Sequence, residues 1–222
     1  MIGWIEFLAV LAGVMLLSRD RIKEKNLPRV AVLSAGIFVA QMLNFPIGGG
    51  TTGHLIGGAL FAIIAGPMVA VIGMTVVLLI QGLLFGDGGI TALGLNGLNM
   101  AVIAPLTGWG VYTLLKPLTE KTGSAGRVAS GFVVGVAAWA SVFVAAATCA
   151  AELSVSYAVS SGAYGIAATV SVPAMLGVHA IIGVGEGIIT AGVFVYLWSV
   201  SPGAITLDSP TEKVLPGLVG LI

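Results

Sequence analysis

The chain has 222 residues, of which 58% are hydrophobic and only 8% charged, with nine Lys or Arg balancing nine Asp or Glu. A water-soluble domain of this size needs far more charge to cover its surface, and a disordered chain would be polar. Zero net charge also removes the electrostatic footprint of a nucleic-acid binder, so the composition reads as that of an integral membrane protein.

The apolar residues form continuous blocks rather than alternating with polar ones, which predicts spanning helices and not the strands of an outer-membrane barrel. The first block covers Ile2 to Ser18. Glu6 and the lack of basic residues ahead of it argue against a cleavable signal peptide. A basic segment follows, in which Arg19, Arg21, Lys23, Lys25 and Arg29 carry five of the nine cations, with Pro28 near the next helix start. The second block runs from Val30 to about Phe45 and ends at Pro46. The Gly-rich turn from Gly48 to Gly53 then leads into His54.

Residues 55–85 fit either one tilted helix or two helices broken at Gly66-Pro67. Basic loops stay in the cytoplasm, and that preference separates the two. A break at Gly66-Pro67 puts segments 19–29 and 116–127 and Lys213 on one side, so all nine cations are cytoplasmic and the N-terminus is outside. Asp87-Gly88-Gly89 makes a turn before the block from Thr91 to Leu115, which Pro105 is expected to kink. Two long blocks follow, Val128 to Ala151 and Val172 to Val200. Between them Glu152 to Ser171 reads as a Ser-rich connection with Tyr157 and Tyr164 suited to the membrane interface. The expectation is an all-α polytopic transmembrane helical bundle of about seven spans in a single domain. Residues 1–28 supply the first span and cytoplasmic basic loop, 29–200 the core bundle and 201–222 a C-terminal tail. On this topology His54, Asp87 and Glu152 approach the outer face.

Five side-chain amides lie in or beside apolar blocks: Gln41, Asn44, Gln81, Asn96 and Asn99. Each is costly in hydrocarbon unless it meets a partner or a cavity. Taken singly, each is equally well read as a helix–helix hydrogen bond. As a set they point to a site, because Gln41 and Asn44 share a helix face, as do Asn96 and Asn99, and both pairs lie near the outer boundary. His54 stands out first. Gly53 before it and Gly57-Gly58 after it allow close backbone approach. A neutral imidazole ligates Ni, Co, Zn or Cu when its second nitrogen is held by an acceptor; the other reading is a histidine bonded into the turn. The only other histidine, His179, precedes Glu186 by seven residues, one helix face two turns apart. That pair reads as an ion pair or as support for the site, with a structural role favoured over ligation for His179.

No Walker A, H-E-x-x-H or Gly-x-Ser-x-Gly sequence and no Cys cluster is present, so the chain does not read as an enzyme. Energy from ATP would come from a partner. Cys149 is the lone cysteine and has no internal disulfide partner. Small residues spaced four apart, Ala31/Ala35, Gly36/Ala40 and Gly131/Gly135, suit close helix packing within the bundle or against another membrane subunit.

The run Gln41-Met42-Leu43-Asn44-Phe45-Pro46, followed by Gly50-Thr51-Thr52-Gly53-His54-Leu55-Ile56-Gly57-Gly58, resembles the CbiM/NikM family. So do Leu84 to Gly94, Asn96 to Pro105, and Leu176-Gly177-Val178-His179-Ala180 with Glu186. These proteins are the substrate-binding membrane (S) components of cobalt and nickel energy-coupling factor (ECF) transporters. The resemblance implies an ECF S-component-like bundle in the cell membrane that captures Co²⁺ or Ni²⁺ on the outer side, as substrate rather than cofactor. Cobalt members supply cobalamin biosynthesis. It also implies a transmembrane coupling protein (EcfT/CbiQ-like), cytosolic ATPase subunits (CbiO-like) and a small accessory membrane protein (CbiN/NikN-like) as partners. In such sites the ion is held by the N-terminal amine, by the backbone nitrogen and imidazole of a histidine at the second position, and by the histidine of the Gly-rich motif. The last matches His54. Gln41, Asn44, Gln81, Asn96, Asn99 and His179 are the candidates for the surrounding shell. Family members begin Met-His, whereas this chain begins Met1-Ile2-Gly3-Trp4. The favoured expectation is that the sequence starts at an internal methionine; the other is that this member binds the ion by other means. A vitamin-type small-molecule component and a non-transporting accessory membrane subunit are the alternatives.

Overall fold

The computed structural model describes residues 2–17, 27–47, 51–119 and 126–201. Helix α1 (Ile2–Leu17) and helix α2 (Leu27–Gln41) are short apolar rods. Strands β1 (Phe45–Ile47) and β2 (Thr51–Gly53) pair antiparallel with Phe45 opposite Gly53 and Ile47 opposite Thr51, so Thr51 to Gly53, expected as part of the Gly-rich turn, is a strand of a small hairpin. Gly48, Gly49 and Gly50 lie outside the described residues.

Helices α3 (Gly58–Ala65) and α4 (Pro67–Ile80) are separated by Gly66, as the charge argument required. Gly66 has φ 87° and ψ 153°, a positive-φ conformation that favours glycine, and Pro67 starts α4 where its missing N–H costs nothing. A π-helical turn, Gln81–Phe85, extends α4. Helix α5 (Leu93–Asn96) passes through a second π-helical stretch, Gly97–Ile103, into α6 (Ala104–Leu115). Pro105 is the second residue of α6, with Ala104 between it and that stretch. A proline removes one ladder hydrogen bond and crowds the carbonyl before it, and the wider π turn is the form the expected distortion takes.

Helices α7 (Gly126–Val159) and α8 (Ala168–Val200) are the longest. The connection read as running from Glu152 to Ser171 is shorter than expected: α7 continues through Val159, leaving residues 160–167 between the helices. Residues 152–159 contain neither Gly nor Pro to stop the helix. Ser154 is satisfied within it, its hydroxyl donating to the Ala150 carbonyl at 2.6 Å. The chain therefore reverses only near Gly162 and Gly165, at φ 86° and 82°. Glu152 thus belongs to a helix and not to a loop.

Among the described residues, four helical rods are long and apolar enough to cross a membrane: Pro67–Phe85, Leu93–Leu118, Gly126–Val159 and Ala168–Val200. The protein is a multi-pass membrane protein, with Leu114, Val128, Phe132 and Ile181 exposed on its flanks. The core is filled by Phe61, Val71, Met74, Ala101, Ala104 and Val142. Small residues set the closest crossings. A methyl group on Gly94 would lie 2.6 Å from the Trp4 backbone nitrogen, so α1 rests directly on α5. Gly135 and Gly187 meet backbone to backbone where α7 crosses α8. The Gly131/Gly135 pattern therefore serves packing within the bundle.

Candidate metal centre

The segment Gly53–Gly57 between β2 and α3 is held from two sides, by α2 and by α8. Gln41, fully buried at the end of α2, donates its Nε2 to the Ile56 carbonyl at 2.6 Å. Glu186 of α8, only 2% exposed, accepts the backbone N–H of Ile56 at 2.6 Å and of Gly57 at 2.8 Å. These amides precede the first turn of α3, where N–H groups have no partner inside the helix and negative charge is favoured. Gly57 itself is left-handed at φ 75°. Glu186 and His179 do not pair with one another; each is engaged by backbone.

His54 is half-buried, and its Nδ1 lies 2.7 Å from the Leu55 carbonyl oxygen. A carbonyl only accepts, so Nδ1 carries the proton and the neutral ring keeps its lone pair on Nε2. His179 is buried and arranged likewise, with Nδ1 donating to the Met175 carbonyl one turn back at 2.8 Å. Both imidazoles line one cavity of about 580 Å³, together with Gln81, Asp87, Asn96, Asn99, Cys149 and Glu152. The sequence favoured a structural role for His179; the fold places its ring on the wall of the same cavity as His54.

Gln81 and Asn99 reach this cavity from the two π-helical stretches, where the widened turn re-aims a side chain off the ordinary helix face. Asn99 donates its Nδ2 to Glu152 at 2.7 Å. Its Oδ1 and the Nε2 of Gln81 are buried without a partner among the described residues, an arrangement that costs stability unless the cavity's contents satisfy them. Asn96 lies 3.5 Å from the Gly88 carbonyl at the rim. Asn44 is exposed and lies 3.4 Å from Asp87, joining the hairpin side to the 86–91 turn outside the cavity. Of the six supporting candidates, Gln81, Asn96, Asn99 and His179 thus line the cavity, Gln41 acts behind the loop, and Asn44 tethers its edge.

Among the described residues no Lys or Arg lines the cavity, while Asp87 and Glu152 do, so its field favours a cation. Among the described residues no three His, Cys, Asp or Glu side chains converge to hold an ion by themselves. The arrangement offers imidazole nitrogen as the ligand type, with amides and carboxylates around it, which suits a borderline divalent ion such as Ni²⁺ or Co²⁺. The sequence offered Glu186 with His179 as an ion pair or as support for the site; what it did not carry is the bonding of Glu186 to the Ile56 and Gly57 amides. The Asn99–Glu152 bond was hidden because Glu152 was read as loop.

The chain matches the family model described as "Cobalt uptake substrate-specific transmembrane region" over residues 1–204. It is 40% identical over 193 residues to the fused nickel transport protein NikMN of Rhodobacter capsulatus, covering 84% of this chain and 54% of that one. It is 32% identical over 225 residues to the cobalt transport protein CbiM of Geobacter sulfurreducens, covering 97% of this chain and 62% of that one. A crystal structure of a transition metal transporter superposes with a TM-score of 0.70 at 32% identity, covering 96% of this chain and 93% of the other. An apolar helical bundle, a cation-favouring cavity lined by imidazole and amide groups, and these matches converge: the chain belongs to the CbiM family and is a cobalt/nickel uptake membrane component.

Proposed function

We propose that this protein captures Co²⁺ or Ni²⁺ from the extracytoplasmic side of the cell membrane and is driven by ATP hydrolysis in partner subunits. The observation that carries the reading is the state of His54. Its Nδ1–H is committed to Leu55, which leaves Nε2 as a ligand on the wall of a cation-favouring cavity. Gln81, Asn99 and His179 then complete the surroundings of the bound ion and its waters, and Asn44, Asn96 and Gln41 fix the rim and the loop.

With the N-terminus outside and the basic segments in the cytoplasm, the His54 loop and the 86–91 turn face outward. The ion enters between them. A transmembrane coupling protein of the EcfT/CbiQ type and CbiO-like ATPases supply the energy, since the sequence contains no nucleotide-binding motif. A CbiN/NikN-like accessory protein fits the fused nickel relative, whose name joins the two parts. By itself the chain binds and does not pump.

The test is uptake into proteoliposomes holding this chain with its coupling and ATPase subunits. Accumulation of Co²⁺ or Ni²⁺ that requires ATP on the ATPase side supports the proposal. ATP-independent equilibration, or uptake of a small organic molecule instead, contradicts it.

Asn99 provides a finer test. In Asn99→Ala, Glu152 loses its 2.7 Å donor and the cavity loses an oxygen acceptor. Removing an outer-shell partner costs roughly 10- to 100-fold in metal affinity, and the expected loss is at the lower end, about tenfold, by titration of the purified protein with Ni²⁺. Unchanged affinity would place the ion away from the π-helical wall.

A further inference from the structure

The bond between His54 and the Leu55 carbonyl is half of a longer arrangement. Leu55 C=O and Ile56 N–H belong to the same peptide group. Its oxygen accepts the His54 Nδ1–H at 2.7 Å, and its N–H donates to Glu186 Oε2 at 2.6 Å. The carboxylate, the peptide and the imidazole therefore form one continuous hydrogen-bonded chain. The next peptide repeats the pattern without the imidazole: Ile56 C=O accepts from Gln41 at 2.6 Å, and Gly57 N–H donates to Glu186 Oε1 at 2.8 Å.

We propose that Glu186 is a positioning residue for His54, acting through the Leu55–Ile56 peptide to fix the Nδ1–H tautomer and to strengthen Nε2 as a metal ligand. The proposal rests on the reading of His54 as a ligand. Metal-bound histidines commonly donate their second N–H to a carboxylate or a carbonyl, which sets the tautomer and raises the basicity of the ligating nitrogen. Here the two acceptors are joined in series. A negative carboxylate bonded to the peptide N–H pushes electron density toward its oxygen, and chained hydrogen bonds polarise one another most where solvent is excluded. Glu186 is 2% exposed, so little water competes for that polarisation.

A plainer role would be to cap α3 and staple α8 onto it. That role treats the two peptides alike, and Gln41, which grips the second of them, would be its equal partner. The relay treats them differently, because only the Leu55–Ile56 peptide touches the imidazole. Gln41→Leu loosens the loop and leaves the carboxylate–peptide–imidazole chain in place. Glu186→Gln keeps the side-chain shape, but its amide NH₂ opposes one backbone N–H and its charge is gone.

The experiment uses the full chain labelled at its histidine ring nitrogens, together with Glu186→Gln, Gln41→Leu and His54→Ala. Only two histidines are present, and the loss of one signal set in His54→Ala assigns the other to His179. In the metal-free wild type the His54 ring is expected wholly as the Nδ1–H tautomer. Glu186→Gln is expected to mix the tautomers and to weaken Co²⁺ binding by about 10- to 100-fold, whereas Gln41→Leu keeps a single tautomer. Equal effects of the Glu186 and Gln41 variants on the ring signals would overturn the relay and leave only the staple. Should Glu186→Gln fail to fold, the wild-type spectrum still decides, since an Nε2–H tautomer there overturns the proposal. If His54→Ala binds Co²⁺ like wild type, the ligand reading itself fails, and that outcome is separate from any effect at Glu186.

Discussion

Replacing His54 with alanine is expected to weaken Ni²⁺ and Co²⁺ binding at least about 100-fold, at or beyond the upper end of what loss of an outer-shell partner costs, while leaving the protein folded. In the proposed site the ring supplies a metal–nitrogen bond that neither water nor an amide replaces at equal strength for these ions. Its structural contribution is small by comparison. His54 is half-buried and makes one local hydrogen bond, to its own neighbour Leu55, worth about 1 kcal/mol. The Ile56 and Gly57 amides stay on Glu186 without it. Calorimetric titration and a thermal melt together separate the two effects. Binding lost with the melting temperature held is the expected pair. His179→Ala serves as the comparison, since its Nδ1 bond closes within one helix turn and its ring reaches the cavity from α8.

Gly94→Val is expected to be the most damaging single change to the fold among the helix crossings. A side chain at residue 94 would meet the backbone of Gly3 and Trp4 at 2.6–2.8 Å, and backbone cannot rotate aside as a long side chain does. Helix α1 must then move off α5, uncovering Phe7, which is 2% exposed and packs against Gly97. Overpacking of this kind costs about 1–3 kcal/mol, and the displaced contacts add to it. The displacement also reaches the cavity, because α5 leads directly into the π-helical stretch that carries Asn99. Metal affinity and melting temperature should fall together, unlike in His54→Ala. Gly110→Ala is the control, since nothing lies within 4 Å of a methyl group there.

Much of this molecule is legible in its sequence because a bilayer leaves few alternatives. Continuous apolar blocks must be helices, and the positions of nine cations were enough to break residues 55–85 at Gly66-Pro67, where α3 ends and α4 begins. His54 stood out as an imidazole among glycines, and Gln81, Asn96 and Asn99 as amides in or beside apolar blocks; the fold gathers them on one cavity. What escaped was set by the third dimension. The π-helical turns have no sequence signature beyond nearby Gly and Pro, yet they aim Gln81 and Asn99 inward. Glu186 pairs with backbone 130 residues away, a partner that carries no side-chain chemistry to be read. The position of His179 on helix α8 was plain; which wall its ring would face depended on how α8 crosses α7 through Gly135 and Gly187.

The proposed site puts the transported ion on His54 inside this cavity. The most direct measurement is a crystal structure of the full chain with Co²⁺, using anomalous scattering at the cobalt edge to locate the ion. A single peak within about 2.0–2.2 Å of His54 Nε2, the usual imidazole–metal distance for a divalent ion of this kind, is the expected result. A peak elsewhere in the bundle, or an occupied cavity with His54 Nε2 left uncoordinated, would contradict it.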